Sequence, residues 1–121
     1  VSVLNQCTYC TDHHTHAGGL AYPGEPEAWS AMEDALLNDR TDDVFKGKEL
    51  ALLGYARNLT LDPASLTAAS IDALREAGAS DGEILEVNQV AGYFAYANRV
   101  VLGLGVTLDG EVRAEQTEIL F

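Results

Sequence analysis

Residues 80–103 read SDGEILEVNQVAGYFAYANRVVLG, and this stretch decides the predicted fold class. Ser80 and Glu83 form a capping-box pattern, which is typical of a helix start. The predicted helix runs to about Gly103 and is apolar on nearly every side, as buried helices are. Because so short a chain has few other elements to cover it, we expect this helix to form a subunit interface as well as core.

The rest of the chain also has helical spacing and no strand pattern. Gly18 and Gly19 are expected to weaken the first helix. Thr67 is a candidate N-cap, Asp62-Pro63 interrupts a helix, and Gly78 suits the left-handed position beyond a helix end. The helices upstream of residue 80 are predicted at about 7–20, 27–38, 48–59 and 67–78. We therefore predict a single all-α domain over residues 1–121.

Composition limits the partners of this domain. The chain has 19 acidic and 7 basic residues and a formal net charge of −12, so it lacks the basic stripe that nucleic acid or an anionic membrane requires. It contains no run of membrane-spanning length and no visible signal peptide, and we expect a cytoplasmic protein. Val1 to Leu4 read like the middle of an apolar segment, which suggests that an upstream N-terminal segment precedes them.

The segment CTYCTDHHTH, residues 7–16, contains both cysteines of the chain. On a helix, at about 100° per residue, Cys7, Cys10 and His14 lie on one face, whereas His16 points away. His14 is one turn from Cys10 but roughly 10 Å from Cys7. A position at the helix N-terminus also favours a thiolate at Cys7. Weighing the two effects, we assign the nucleophile to Cys10 and the resolving thiol to Cys7.

These residues predict a redox cycle. The Cys10 thiolate attacks a peroxide and becomes a sulfenic acid, with which Cys7 condenses to a disulfide. A thiol reductant or disulfide-exchange partner then restores the dithiol. No cofactor is expected, because Gly103-Leu104-Gly105 lacks the remaining glycine and the preceding strand of a dinucleotide site.

Three alternatives remain for the cysteine pair. Zinc would use Cys7, Cys10 and His14, but a structural site needs a fourth ligand and His16 faces away; a non-catalytic zinc- or redox-binding helical module is thus the main alternative. The pair could also be two small buried residues. A thioredoxin-like reductase would need a βαβ pattern that the sequence does not contain.

Polar and aromatic residues of the long helix have more than one interpretation. Tyr93, Phe94 and Tyr96 are expected to be core or interface residues. Asn98 and Arg99 need partners if they are buried. Packing or an intersubunit ion pair is the expected role of both, and a role in the site is the alternative.

The Cys7, Cys10 and His14 spacing resembles the motif of the alkyl hydroperoxidase D-like group of the carboxymuconolactone decarboxylase superfamily. The stretches 55–60, 62–65, 93–99 and 103–106 resemble its peroxidase-related subgroup, so that the likeness covers most of residues 1–109. It implies an oligomeric helical bundle, a peroxidatic Cys10, a resolving Cys7 and His14 in a proton relay. Two features differ: the glutamate of the family's relay would lie upstream of residue 1, and Tyr9 occupies a position where better-studied members have histidine.

Overall fold

The computed structural model describes residues 1–109, which form five α-helices and no strand. This confirms the all-α prediction. Short 3-10 turns at Thr41–Asp43 and Pro63–Ser65 precede and follow the third helix. The predicted turn at Asp109-Gly110 extends beyond the described residues, and the terminal apolar residues 119–121 lie outside them. The helices are α1 (Thr8–Ala21), α2 (Pro26–Leu37), α3 (Gly47–Leu61), α4 (Ala68–Glu76) and α5 (Asp81–Gly103).

The start of α5 has the predicted capping box. The Glu83 N–H donates to Ser80 Oγ at 3.2 Å, and the Ser80 N–H donates to Glu83 Oε2 at 2.8 Å. Lys48 of α3 adds a 2.7 Å ion pair with the other carboxylate oxygen of Glu83. This hydrogen bond from Lys48, followed by those from Ser80, lowers the pKa of Glu83 from 4.5 to about 2. The helix start is therefore fixed both locally and by α3.

Within one chain, α5 is buried on one face and not on all sides. Ile84, Ala91 and Asn98 are buried at seven-residue intervals, which places them on one stripe. The opposite side carries large exposed apolar residues, of which Tyr96 is 65% exposed. In the part of the chain that the structure describes, no helix is both long and apolar enough to cross a membrane.

The main core lies between α3, α4 and α5, which contact one another pairwise. Its buried members are Tyr55, Leu74, Ala79 and Ile84. Asn88 donates to Tyr55 Oη at 2.7 Å, so the phenol brings a satisfied polar group into this region. The core fixes the N-terminal half of α5 and leaves its C-terminal half to support α1.

Two helix boundaries follow the sequence signals. Thr67 is the N-cap of α4, and its backbone N–H donates to Ser70 Oγ at 3.1 Å. Beyond the C-terminus of α4, Gly78 has φ +96°, which is the left-handed conformation predicted for it. Local signals therefore mark both the start and the end of α4.

The first helix, α1, continues through Gly18 and Gly19 to Ala21, close to the predicted end, although these two glycines are expected to weaken it. The Trp29 indole of α2 lies against both glycines, and a Cβ at Gly18 would overlap its six-membered ring. The glycines therefore permit a close approach of the two helices, and this packing offsets their low helix propensity. As a result α1 contacts both α2 and α5.

Candidate functional site

The chain reaches α1 through a closed turn formed by residues 1–6. The Asn5 N–H donates to the Val1 carbonyl and the Gln6 N–H to the Val3 carbonyl, each at 3.0 Å. Gln6 has φ +57°, which is unusual for a residue with a side chain. The Cys7 N–H then donates to the Ser2 carbonyl at 3.0 Å. This turn delivers Cys7 to the start of the helix.

Cys7 is the N-cap of α1 and not its first helical residue, which is Thr8. Its carbonyl accepts the N–H of Thr11 at 2.9 Å. Cys10 lies in the first turn of the helix proper. The Cys7 and Cys10 Cα atoms are 5.3 Å apart, and the two side chains form a disulfide. The N-terminal turn therefore holds the backbone of Cys7, whereas α1 holds the backbone of Cys10.

The disulfide is shielded from solvent. Cys7 is 1% exposed and Cys10 is 5% exposed. A groove of about 350 Å³ between the start of α1 and the end of α5 adjoins Cys7. Its other lining residues include Tyr9, Val101, Leu102 and Val106. A small molecule that approaches the pair from this side meets a largely apolar surface.

His14 lies one turn beyond Cys10 on α1, as its spacing requires. Its ring packs edge-on against Phe94 of α5, with the ring centroids 4.5 Å apart. Burial lowers the pKa of His14 below 6.5, and the nearby His13 lowers it further, whereas a hydrogen bond with the Cys10 backbone opposes the shift. His14 is therefore mainly neutral at pH 7, and a neutral imidazole can accept a proton.

The other residues of the segment surround this group. The centroids of the Tyr9 and His13 rings are 4.4 Å apart, with a 41° angle between the ring planes. His16 is exposed on the opposite side of α1, as its position in the sequence predicts. Among residues 1–109, no group of three or more His, Cys, Asp or Glu side chains is arranged to hold a metal ion.

Asn98 is buried and has the hydrogen-bond partners that a buried polar residue needs, whereas Arg99 is not buried. Asn98 has no exposed surface, and its amide bonds with Ser2 and Asn5. Arg99 is exposed, and its guanidinium donates to the Ala95 carbonyl at 3.0 Å. The signal for Asn98 was a polar residue within an apolar helix; no comparable signal marked Ser2. Phe94 was expected in a core or an interface, and its contact with His14 was not predicted.

Comparison of the chain with protein-family models, with curated proteins and with solved structures found no significant match in any of the three.

Proposed function

We propose that this chain is a thiol-dependent, peroxidase-like oxidoreductase of the alkyl hydroperoxidase D-like type. The observation that carries the proposal is the shielded Cys7–Cys10 disulfide one turn from a partly buried histidine of lowered pKa. A loop closed by so few residues constrains the unfolded chain little, so a purely structural role explains this disulfide poorly. A dithiol that cycles explains both the disulfide and the histidine.

In the first step, neutral His14 accepts the proton of the Cys10 thiol. The thiolate attacks one oxygen of a peroxide, the O–O bond breaks, and the products are a Cys10 sulfenic acid and an alcohol or water. The departing oxygen takes up a proton. Cys10 loses two electrons in this step, and the peroxide gains them.

In the second step, the Cys7 thiol attacks the sulfenic sulfur of Cys10. The S–S bond forms, the S–O bond breaks, and water leaves. A thiol reductant then attacks the disulfide, and a second thiol equivalent releases the dithiol. The groove lined by Cys7 offers a small thiol reductant a route to the Cys7 side of the disulfide. A cytoplasmic location suits the cycle, because cytosolic disulfides are mostly transient and catalytic.

The test starts from the protein reduced with dithiothreitol and freed of it. Hydrogen peroxide or cumene hydroperoxide should remove both thiols, and mass spectrometry should find the Cys7–Cys10 disulfide. Cys10→Ser should abolish peroxide consumption, whereas Cys7→Ser should consume one equivalent and stop. His14→Gln should slow the first step, and His16→Gln on the exposed side of α1 is its matched control. Unchanged thiols after peroxide treatment, or zinc retained by the dithiol at one equivalent, would replace this function with that of a binding module.

We further propose that the protein is a homo-oligomer assembled on the outer stripe of α5. We define the outer stripe as Leu85, Tyr93, Tyr96 and Val100, which are all more than 40% exposed and share one side of the helix. Fully burying such a side chain stabilises by about 1.5–3 kcal/mol. Burying the four partly exposed side chains against a second copy of the chain should therefore stabilise the assembly by several kcal/mol, on the order of the sum of such terms.

Light scattering coupled to gel filtration tests this assembly. The wild type should elute as a dimer or larger species at micromolar concentration. Tyr96→Lys should shift it toward monomer, because the charge must be buried on association. Glu76→Gln changes the charge by the same amount on exposed α4 and should leave the mass unchanged. A wild-type monomer would remove the proposal.

A further inference from the structure

Asn98 connects the C-terminal half of α5 to the turn that carries Cys7. Its Nδ2 donates to Ser2 Oγ at 3.1 Å, and its Oδ1 accepts from Asn5 Nδ2 at 3.1 Å. Both partners lie in residues 1–6, more than 90 positions earlier in the chain. The side chain is fully buried, so water does not compete for these two bonds.

One further hydrogen bond transmits this contact to the cysteine. The Ser2 carbonyl accepts the Cys7 N–H at 3.0 Å. Asn98 thus holds the hydroxyl of Ser2, and the backbone of Ser2 holds Cys7. Cys10 needs no such support, because the first turn of α1 fixes its backbone.

We propose that Asn98 is a positioning residue that holds Cys7 at bonding distance from Cys10. This inference rests on the proposed function, since it concerns the second step of that cycle. We call the two hydrogen bonds of Asn98 with Ser2 and Asn5 the clamp. The clamp keeps the Cys7 thiol at a high effective concentration toward the Cys10 sulfenic acid. It also favours the disulfide over the dithiol at equilibrium. The first step, in which a peroxide oxidises Cys10, does not depend on the clamp.

The quantity that reports the clamp is the reduction potential of the pair. Asn98→Leu keeps the branching and the number of side-chain heavy atoms and removes both hydrogen bonds. If it lowers the effective concentration about tenfold, the potential becomes less negative by about 30 mV, the two-electron equivalent of that factor. Condensation of Cys7 with the sulfenic acid should slow by about the same factor, while the rate constant for oxidation of Cys10 changes less than about twofold.

The same helix provides a matched control. Asn88→Leu also removes an asparagine hydrogen bond from α5, in this case to Tyr55 Oη at 2.7 Å, far along the helix from the turn. It should lower the unfolding midpoint without moving the potential. A potential that moves equally in both variants would show a general loss of stability and would overturn the inference.

Two milder variants keep the test decisive if Asn98→Leu fails to fold. Ser2→Ala and Asn5→Ala each remove one bond of the clamp and leave the Ser2 carbonyl in place. Each should move the potential in the same direction by a smaller amount, and their double variant by more. Wild-type potentials in all three would refute the clamp.

The potential is measured by equilibration in mixtures of reduced and oxidised glutathione, followed by acid quenching, alkylation and mass spectrometry. This equilibrium involves no peroxide. A wild type that does not consume peroxide would therefore remove the proposed function while the effect of Asn98 on the pair is still measured. A normal peroxide cycle with an unshifted Asn98→Leu potential would remove only the clamp.

Discussion

Phe94 should control the protonation of His14, because its ring supplies part of the apolar surface around the imidazole. The ring centroids are 4.5 Å apart in an edge-on arrangement. Burial is the largest cause of the lowered pKa of His14. Phe94→Ala removes that surface and admits water. The pKa of His14 should then rise toward 6.5 in the folded variant.

The size of the effect on stability follows from burial. A fully buried phenylalanine costs about 3–5 kcal/mol when replaced by alanine. Phe94 is only partly buried, so we expect a loss of about 2–3 kcal/mol in the free energy of unfolding. Edge-on packing with His14 and with Tyr93, whose ring centroid is 5.2 Å away, accounts for about 0.5–1.5 kcal/mol of it per pair.

The sign of the pH dependence is fixed by linkage. His14 binds a proton less tightly in the folded chain than in the unfolded chain, so its contribution to the stability of the wild type falls as the pH drops below 6.5. In Phe94→Ala the two pKa values approach each other, and this loss shrinks. The stability difference between the proteins should therefore be smaller at pH 5 than at pH 8.

Imidazole NMR titration measures the pKa directly, with His14→Gln identifying the resonance. Urea unfolding at the two pH values measures the linked stability. Ile84→Val is the control, since it weakens the α5 core by about 0.5–1.5 kcal/mol without contact to His14. A folded Phe94→Ala protein whose His14 titrates as in the wild type would refute the role of the ring.

Three further changes have clear expected results. Gly18→Ala should lower the thermal midpoint by the equivalent of about 1–2 kcal/mol, because overlap with Trp29 outweighs a gain of about 1 kcal/mol in helix propensity; a raised midpoint would contradict the packing. Gly78→Ala should cost about 1–2 kcal/mol in urea unfolding, since φ +96° strains a residue with a Cβ. Lys48→Met should raise the pKa of Glu83 from about 2 toward 4.5. The stabilisation that the wild type loses as pH falls between these values should then be smaller in the variant, as unfolding at pH 7 and pH 3 would reveal.

The helix starts and stops that rest on local chemistry were predictable from sequence. Ser80 and Glu83 satisfy each other within one turn, and Gly78 adopts the conformation that a side chain disfavours. Both signals act within one turn of the chain, although Lys48 of α3 adds to the first. Gly18 and Gly19 show the limit of such signals, since a distant indole reverses the effect of their propensity. The sequence pattern of α5 is apolar on nearly every side, so it did not predict which face of the helix is buried within the chain.

The candidate site also contains features that local sequence predicts and features that depend on residues from another helix. The relation of Cys10 to His14 is set by helical spacing and could be predicted from the five residues of sequence that they span. The environment of His14 could not, because Phe94 comes from another helix. The support of Cys7 is less local still, since it depends on a single amide of α5 that meets the chain's first residues. The sequence offered one indication, a polar side chain amid apolar neighbours, and no means of naming its partners.

This division has a consequence for the proposed cycle. Oxidation of Cys10 uses a thiol and a base that belong to one helix, so it should tolerate loosening of the N-terminal turn as long as Phe94 stays packed against His14. Formation of the disulfide joins a sulfur fixed by α1 to a sulfur fixed by a turn that α5 holds. It therefore requires α1 and α5 to stay in register. Loosening the hydrogen bonds between Asn98 and the N-terminal turn should let the sulfenic acid accumulate and proceed to sulfinic acid, while the first step continues at its usual rate.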